Sequence, residues 1–131
     1  MKKRLTALLC ALGTALPALL AQGTASSDVL NLIPKPVSVE TTAGETFRLT
    51  GKTTISCDAA LRGQAELLRE RLEDATGLDI AITDKPRRGG IRLTTDTSAV
   101  VRAEGYRLTV GARGVTVCGH DAAGVFYGTQ T

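Results

Sequence analysis

Apolar residues recur at intervals of four and three in one long segment, the spacing of a helix with a single apolar face. Asp58 is a suitable N-cap before this segment, and Gly77 follows it as a helix-closing glycine does. The pattern therefore predicts an amphipathic helix from Asp58 to Thr76, with Arg69 and Glu73 able to pair on its solvated face. The predicted buried stripe consists of Leu61, Ala65, Leu68, Leu72 and Ala75.

Alternation of apolar and polar residues predicts strands in most of the remaining chain. The predicted strands are 37–40, 47–49, 53–56, 78–83, 91–94, 106–110 and 115–117. Gly111–Gly114 reverses the chain between the last two, which predicts a hairpin, and Lys85–Gly90 is a basic turn. Asp121 can cap a second helix beginning at Ala122. That helix reaches Thr131 without a stop signal, so we expect the sequence to be cut there.

The N-terminus has the order of a secretory signal peptide. Lys2, Lys3 and Arg4 precede about 16 apolar residues, and small residues lie before Ala25. We expect cleavage after Ala25, giving a signal peptide over 1–25 and a mature domain over 26–131. An uncleaved anchor is the alternative, but this run is short for a membrane span of roughly 20 residues. Cys10 lies inside the apolar run, which argues against a lipoprotein.

The basic character belongs to this leader. Three of the sixteen basic residues lie at 2–4 and no acid precedes Asp28, so the mature chain is neutral. A nucleic-acid partner is therefore excluded by charge. With four aromatic residues and no tryptophan, a stacking sugar-binding module is also disfavoured. The pattern indicates a small exported α+β domain, periplasmic or extracellular, without a membrane span after cleavage.

Two cysteines remain after export, and they could form a disulfide in an oxidising compartment. Cys57 and Cys118 lie 61 positions apart, and each follows or ends a strand-like segment. Each could equally be a small buried apolar residue, so both interpretations stay open. With one histidine, the mature chain has no metal-ligand cluster in its sequence, and no cofactor motif is present.

Candidate catalytic groups are few. The only adjacent acids are Glu73 and Asp74, which diverge by about 100° on a helix and cannot face one substrate atom together. His120 is the single histidine, and it precedes a helix start, where a turn role is favoured over catalysis. No serine has the context of a nucleophile. We expect no catalytic, cofactor-binding or metal-binding residue in this chain.

Two stretches carry a family resemblance. Ile33-Pro34-Lys35-Pro36 opens the first strand, and the run from Glu104 to Thr131 reads EGYRLTV, GVTV and GHDAAGVFYGTQT in order. Together with the helix that ends at Gly77, they resemble the N-terminal domain of β-N-acetylhexosaminidases of glycoside hydrolase family 20. The resemblance covers Leu32 to Thr131.

The resemblance implies a mostly antiparallel sheet with helices packed on one face, leading into a (β/α)8 barrel that is absent here. In that family the catalytic residues are an adjacent Asp-Glu pair in the barrel, and the substrate's acetamido oxygen is the nucleophile. No catalytic residue carries over to this chain. The implied partners are the barrel of the same parent chain and, through it, a glycan substrate. The alternatives are a free-standing secreted interaction module and the similar domain of a family 84 enzyme acting on N-acetylglucosamine.

Overall fold

The computed structural model describes residues 32, 35–42 and 44–131. The predicted signal peptide and its cleavage site lie outside these residues. Five strands form one sheet in the order β2-β1-β3-β5-β4. The strands are β1 Thr54–Ser56, β2 Ala81–Thr83, β3 Gly90–Thr95, β4 Tyr106–Gly111 and β5 Gly114–Gly119. The helices are α1 Arg62–Thr76, preceded by the 3-10 turn Ala59–Leu61, and α2 Ala122–Gln130. The α+β class is confirmed.

The expected antiparallel sheet is wrong in its strand directions. β1 pairs in parallel with both β2 and β3, and β3 pairs in parallel with β5. Only β4 and β5 are antiparallel, joined by the predicted hairpin in which Gly111 pairs with Gly114. The connection through α1 returns the chain to the same end of the sheet, as a crossover between parallel strands must. Residues 84–89, which include most of the predicted basic turn, then carry the chain back across β1 to β3.

Two predicted strands, 37–40 and 47–49, are irregular in the structure. Alternation makes a segment compatible with a strand, but a strand exists only where a neighbour accepts its backbone hydrogen bonds. Val37 is 96% exposed, so its apolar side chain is not used in the core. Phe47 and Leu49 do pack against the core cluster without entering the sheet.

The stripe of α1 is buried at its beginning and exposed at its end. Leu61 and Ala65 are buried, Leu68 and Leu72 are half-buried, and Ala75 is exposed. The 15-residue helix is about 22 Å long, whereas the three-residue strands β1 and β2 cover about 10 Å, so its last turns overhang them.

The ends of α1 follow the prediction on one side only. Asp58 has extended backbone but makes no side-chain capping bond, because the 3-10 turn separates it from the start of α1 at Arg62. Gly77 closes the helix in the left-handed conformation at φ 69°, as predicted, and its amide donates to the carbonyl of Glu73 over 2.7 Å.

Both helices contact the sheet and each other. α1 contacts β1 and β2, α2 contacts β3, β4 and β5, and Gln64 of α1 donates to the carbonyl of Ala122 over 3.5 Å. The core between these elements contains Ile55, Cys57, Leu61, Ala65, Ile80, Ile91, Leu93, Val117 and Val125. Among the described residues, no helix has the length and apolar composition that a membrane crossing requires.

Candidate functional site

The two adjacent acids on α1 have different surroundings: Glu73 makes structural contacts, and Asp74 lies in solvent. The Oε1 atom of Glu73 accepts a hydrogen bond from the amide of Ile80 over 3.0 Å, and its Oε2 lies 3.9 Å from Nε of Arg69. Asp74 is exposed. The predicted pairing with Arg69 is confirmed, but the side chain of Glu73 is half-buried and ties α1 to the chain leading into β2. This geometry gives Glu73 a role in packing and leaves Asp74 in solvent.

His120 lies at the junction between β5 and α2, where both its ring and its backbone are hydrogen-bonded. Nδ1 donates to the carbonyl of Val100 over 2.7 Å, since a carbonyl oxygen only accepts. The His120 amide donates to the carbonyl of Gly105 over 2.9 Å. The nitrogen that a catalytic histidine uses to hold an acid is therefore occupied by a backbone oxygen, which orients the ring.

The segment 96–105 between β3 and β4, here called the 96–105 loop, is held against the start of α2. The carboxylate of Asp121 accepts from the amide of Glu104 over 3.0 Å and from the amide of Gly124 over 2.8 Å. One side chain thus caps α2, as predicted, and fixes the end of the loop. Glu104 has a left-handed backbone at φ 61°, an uncommon conformation for a residue with a side chain.

Hydrogen bonding lowers the pKa of two aspartates in this region. The amides of Gly124 and Glu104 stabilise the charged carboxylate and lower the pKa of Asp121. At the other end of the loop, the Ser98 hydroxyl and the amides of Ala99 and Ser98 lower the pKa of Asp96. Both carboxylates are therefore stably ionised hydrogen-bond acceptors, the opposite of the protonated state that a general acid needs.

Close backbone contact requires glycine where the loop meets α2. A Cβ on Gly124 would overlap the carbonyl oxygen of Gly105, and one on Gly119 would lie 2.5 Å from the amide nitrogen of Val125. The loop and the helix therefore approach each other more closely than side chains would permit. The glycines of the GHDAAG run serve this packing, and we assign them no phosphate or nucleotide.

The two cysteines are unpaired and lie on different faces of the sheet. Cys57 packs in the core with Ile55 and Val117, while Cys118, the strand neighbour of Val117, points to the opposite face. β1 and β5 are separated by β3, which places them about 10 Å apart, beyond the reach of a disulfide. Burial raises the pKa of the Cys57 thiol, against an opposing effect of Arg62, and so disfavours the thiolate form.

The surface offers two open depressions. One of about 420 Å³ runs along the solvated side of α1, and the other, of about 220 Å³, lies beside Cys57, Arg62 and Asp84. In the part of the chain that the structure describes, no three histidine, cysteine or acidic side chains are grouped as metal ligands. The second depression places the Cys57 thiol beside the carboxylates of Asp58 and Asp84, but among the described residues no histidine lines either depression, and the basic turn 85–90 contributes no residue to either lining.

The end of α2 has contacts that the sequence pattern did not indicate. The hydroxyls of Tyr106 and Thr131 share a hydrogen bond of 2.6 Å, and Nη1 of Arg71 donates to the side-chain oxygen of Gln130. The sequence pattern predicts Tyr106 only as a residue of the strand 106–110 and predicts no role for Arg71. No motif marks either contact, because each joins residues at least 25 positions apart.

Comparison with known proteins identifies a family for this chain. The profile described as Glycosyl hydrolase family 20, domain 2 matches residues 29–131. A beta-hexosaminidase of Porphyromonas gingivalis is 36% identical over 105 residues, which make up 78% of this chain and 13% of that protein. A lacto-N-biosidase of Bifidobacterium bifidum is 38% identical over 84 residues, or 62% of this chain and 8% of that protein.

Solved structures give the same result. The GH20 beta-N-acetylhexosaminidase from Streptomyces coelicolor A3(2) aligns with a TM-score of 0.63 and 33% identity, covering 73% of this chain and 19% of that chain. A mutant Streptomyces plicatus beta-hexosaminidase in complex with its product GlcNAc aligns with a TM-score of 0.61 and 35% identity, covering 75% and 19%. The chain thus spans less than a fifth of the length of these relatives.

Proposed function

We propose, from the premise that this chain belongs to glycosyl hydrolase family 20 as its domain 2, that it is the non-catalytic N-terminal domain of a β-N-acetylhexosaminidase. The parent enzyme removes terminal N-acetylhexosamine from glycans, and the reaction takes place in a (β/α)8 barrel that follows this domain. The names of the aligned relatives support this activity for the parent. The domain itself contributes packing and positioning.

One observation carries the proposal. The chain matches the family over residues 29–131, and its candidate catalytic side chains Glu73 and His120 make structural hydrogen bonds. Glycoside hydrolysis needs a proton donor at the glycosidic oxygen and a group that orients the nucleophile. Glu73 accepts a backbone hydrogen bond, Asp121 caps a helix, and the Nδ1 of His120 donates to a carbonyl. These side chains hold the domain together, which leaves the chemistry to another part of the parent.

The helices offer a surface for the barrel. Since α1 and α2 contact each other and both contact the sheet, we place them in one layer on one of its faces. Leu67 on α1 and Tyr127 on α2 are large apolar side chains that remain 45% and 42% exposed. α2 is apolar on most of its circumference, which is typical of a helix covered on two sides. The barrel of the parent is the partner we propose for this outer side.

The site of action is outside the cytoplasm. We propose that residues 1–25 direct export and are removed, leaving the domain 26–131 in the periplasm or the extracellular space. N-terminal sequencing of the exported protein tests this directly, and the expected first residue lies between Gln22 and Ser27. A secreted product that still begins at Met1 contradicts the proposal.

Activity measurements test whether catalysis belongs to the barrel and not to this domain. Released chromophore from an N-acetylglucosaminide substrate is measured for the 131-residue protein and for a fusion in which residues 32–131 replace the aligned domain of the Streptomyces coelicolor enzyme. We expect turnover by the fusion only, and that turnover survives Glu73→Gln, Asp74→Asn and His120→Ala. Turnover by the 131-residue protein that disappears in one of these variants overturns the proposal.

A further inference from the structure

The last turn of α2 is tied to two other elements. Tyr106, the first residue of β4, hydrogen-bonds the Thr131 hydroxyl over 2.6 Å, and Arg71 of α1 donates to Gln130. Helix ends ordinarily fray, and the final carbonyl groups have no partner within the helix. Here the last two residues are held from both sides by side chains distant in sequence.

Packing fixes the ring of Tyr106 before its hydroxyl reaches Thr131. A Cβ on Gly128 would lie 3.1 Å from the ring and 2.5 Å from Cγ1 of Val117, so the glycine allows helix and sheet to touch at this point. The ring is half-buried against the helix. Because the ring is held in place, the position of its hydroxyl oxygen is fixed. The hydrogen bond from this hydroxyl to Thr131 therefore orients the end of α2.

We propose that Tyr106 and Arg71 are positioning residues that set the direction in which the chain leaves this domain after Thr131. This inference rests on the proposed function, because it assigns the fixed helix end the task of placing the barrel against the domain. Neither residue touches substrate. They act through orientation, and small errors in orientation reduce catalysis well away from the reacting atoms. Arg71 lies at the surface, so it contributes less than Tyr106 to fixing the end of α2.

The first measurement uses the 131-residue protein alone. Tyr106→Phe removes the hydroxyl and keeps the ring, and we expect amide exchange of Gly128, Thr129 and Gln130 to become several-fold faster. Tyr127→Phe is the matched control, since it removes the same atom from the exposed ring on α2 and is expected to leave the exchange unchanged.

The second measurement uses the fusion with the Streptomyces coelicolor enzyme. We expect Tyr106→Phe to lower kcat/KM about three- to tenfold, mainly through kcat, while Thr109→Val, which removes an exposed hydroxyl from the same strand, leaves both constants unchanged. Arg71→Ala is expected to lower kcat/KM by about twofold, and Arg71→Lys, which keeps a donor for Gln130, to restore it.

The outcomes separate the two proposals. An unaltered fusion without activity overturns the proposed function, and the positioning role with it. An active fusion in which Tyr106→Phe and Thr109→Val behave alike, with equal amide exchange for Tyr106→Phe and Tyr127→Phe in the 131-residue protein, overturns the positioning role and leaves the proposed function intact.

Discussion

The two helices of this domain reach their structures by different routes. α1 carries an apolar stripe, ion pairs with i,i+4 spacing and a closing glycine, all within its own sequence. α2 is nine residues long, nearly uniform in apolarity, and starts from an aspartate that also holds the 96–105 loop. A helix this short is marginal by itself, so it depends on the sheet and loop around it. Local signals specify α1, and tertiary contacts specify α2.

The largest expected effect is the difference in stability between adding one methyl group to α2 and adding one to α1. Gly124→Ala on α2 places a Cβ against the carbonyl of Gly105, and we expect a loss of about 3 kcal/mol or more in the free energy of unfolding. Gly63→Ala on α1 meets no atom within 4 Å and should stabilise the domain by about 0.5–1 kcal/mol. Denaturant midpoints measure both, and midpoints that shift equally would contradict the comparison.

The next effect concerns the buried side of α1. Leu68 and Leu72 are half-buried against the core, so Leu68→Ala and Leu72→Ala should each cost about 1–3 kcal/mol, below the range for fully buried leucines. Arg62→Ala, on the solvated side, should change the midpoint little. If all three variants unfold at the same denaturant concentration, the buried face of α1 has been assigned incorrectly.

A smaller effect tests the link between α1 and β2. Glu73→Gln exchanges a charged acceptor of the Ile80 amide for a neutral one and should cost about 0.5–1.5 kcal/mol. Asp74→Asn is the neighbouring control, because that side chain is exposed. Chemical denaturation of both variants is the measurement, and a larger loss for Asp74→Asn would show that the carboxylate contact is unimportant.

The smallest effect is a pH dependence at the start of α2. Folding lowers the pKa of Asp121, so the stability that its charge provides is present above the ordinary aspartate pKa of about 3.9 and is lost as pH falls through the lowered value. Asp121→Asn should therefore make the stability of the domain fall less steeply as pH decreases. Thermal unfolding between pH 2 and 6 measures this. Asp96 also has a lowered pKa, so the Asp96→Asn variant is measured beside it. An acid limb unchanged by Asp121→Asn refutes the assignment.

Sequence patterns predicted what depends on neighbours in the chain. The C-terminal end of α1, the hairpin closed by Gly111 and Gly114, and the caps at Gly77 and Asp121 all follow from residues a few positions apart. Strand directions did not follow, because the alternation of Ile91 and Leu93 is the same whether β3 pairs in parallel or antiparallel. The irregular segment at 47–49 was unpredictable for the same reason: pairing depends on a distant partner.

The candidate site shows the same difference between features set by neighbours in the chain and features set by distant partners. From their positions on a helix and at a helix start, the sequence predicts that Glu73 and His120 are not catalytic, and this stays a prediction. Their hydrogen-bond partners, the Ile80 amide and the Val100 carbonyl, could not be predicted, since a backbone donor or acceptor leaves no trace in the pattern of side chains. The contact between Tyr106 and Thr131 is equally silent in the sequence.

The mixed strand directions have a consequence for the time course of folding. β4, β5 and α2 are consecutive in the chain and contact one another, so this unit closes only short loops as it forms. β1 reaches its neighbour β3 only by pairing Ile55 with Ile91, after the intervening chain with α1 and β2 has been accommodated. Such non-local parallel pairing is intrinsically slow. We therefore expect the C-terminal hairpin and helix to gain protection from exchange before β1 does during refolding.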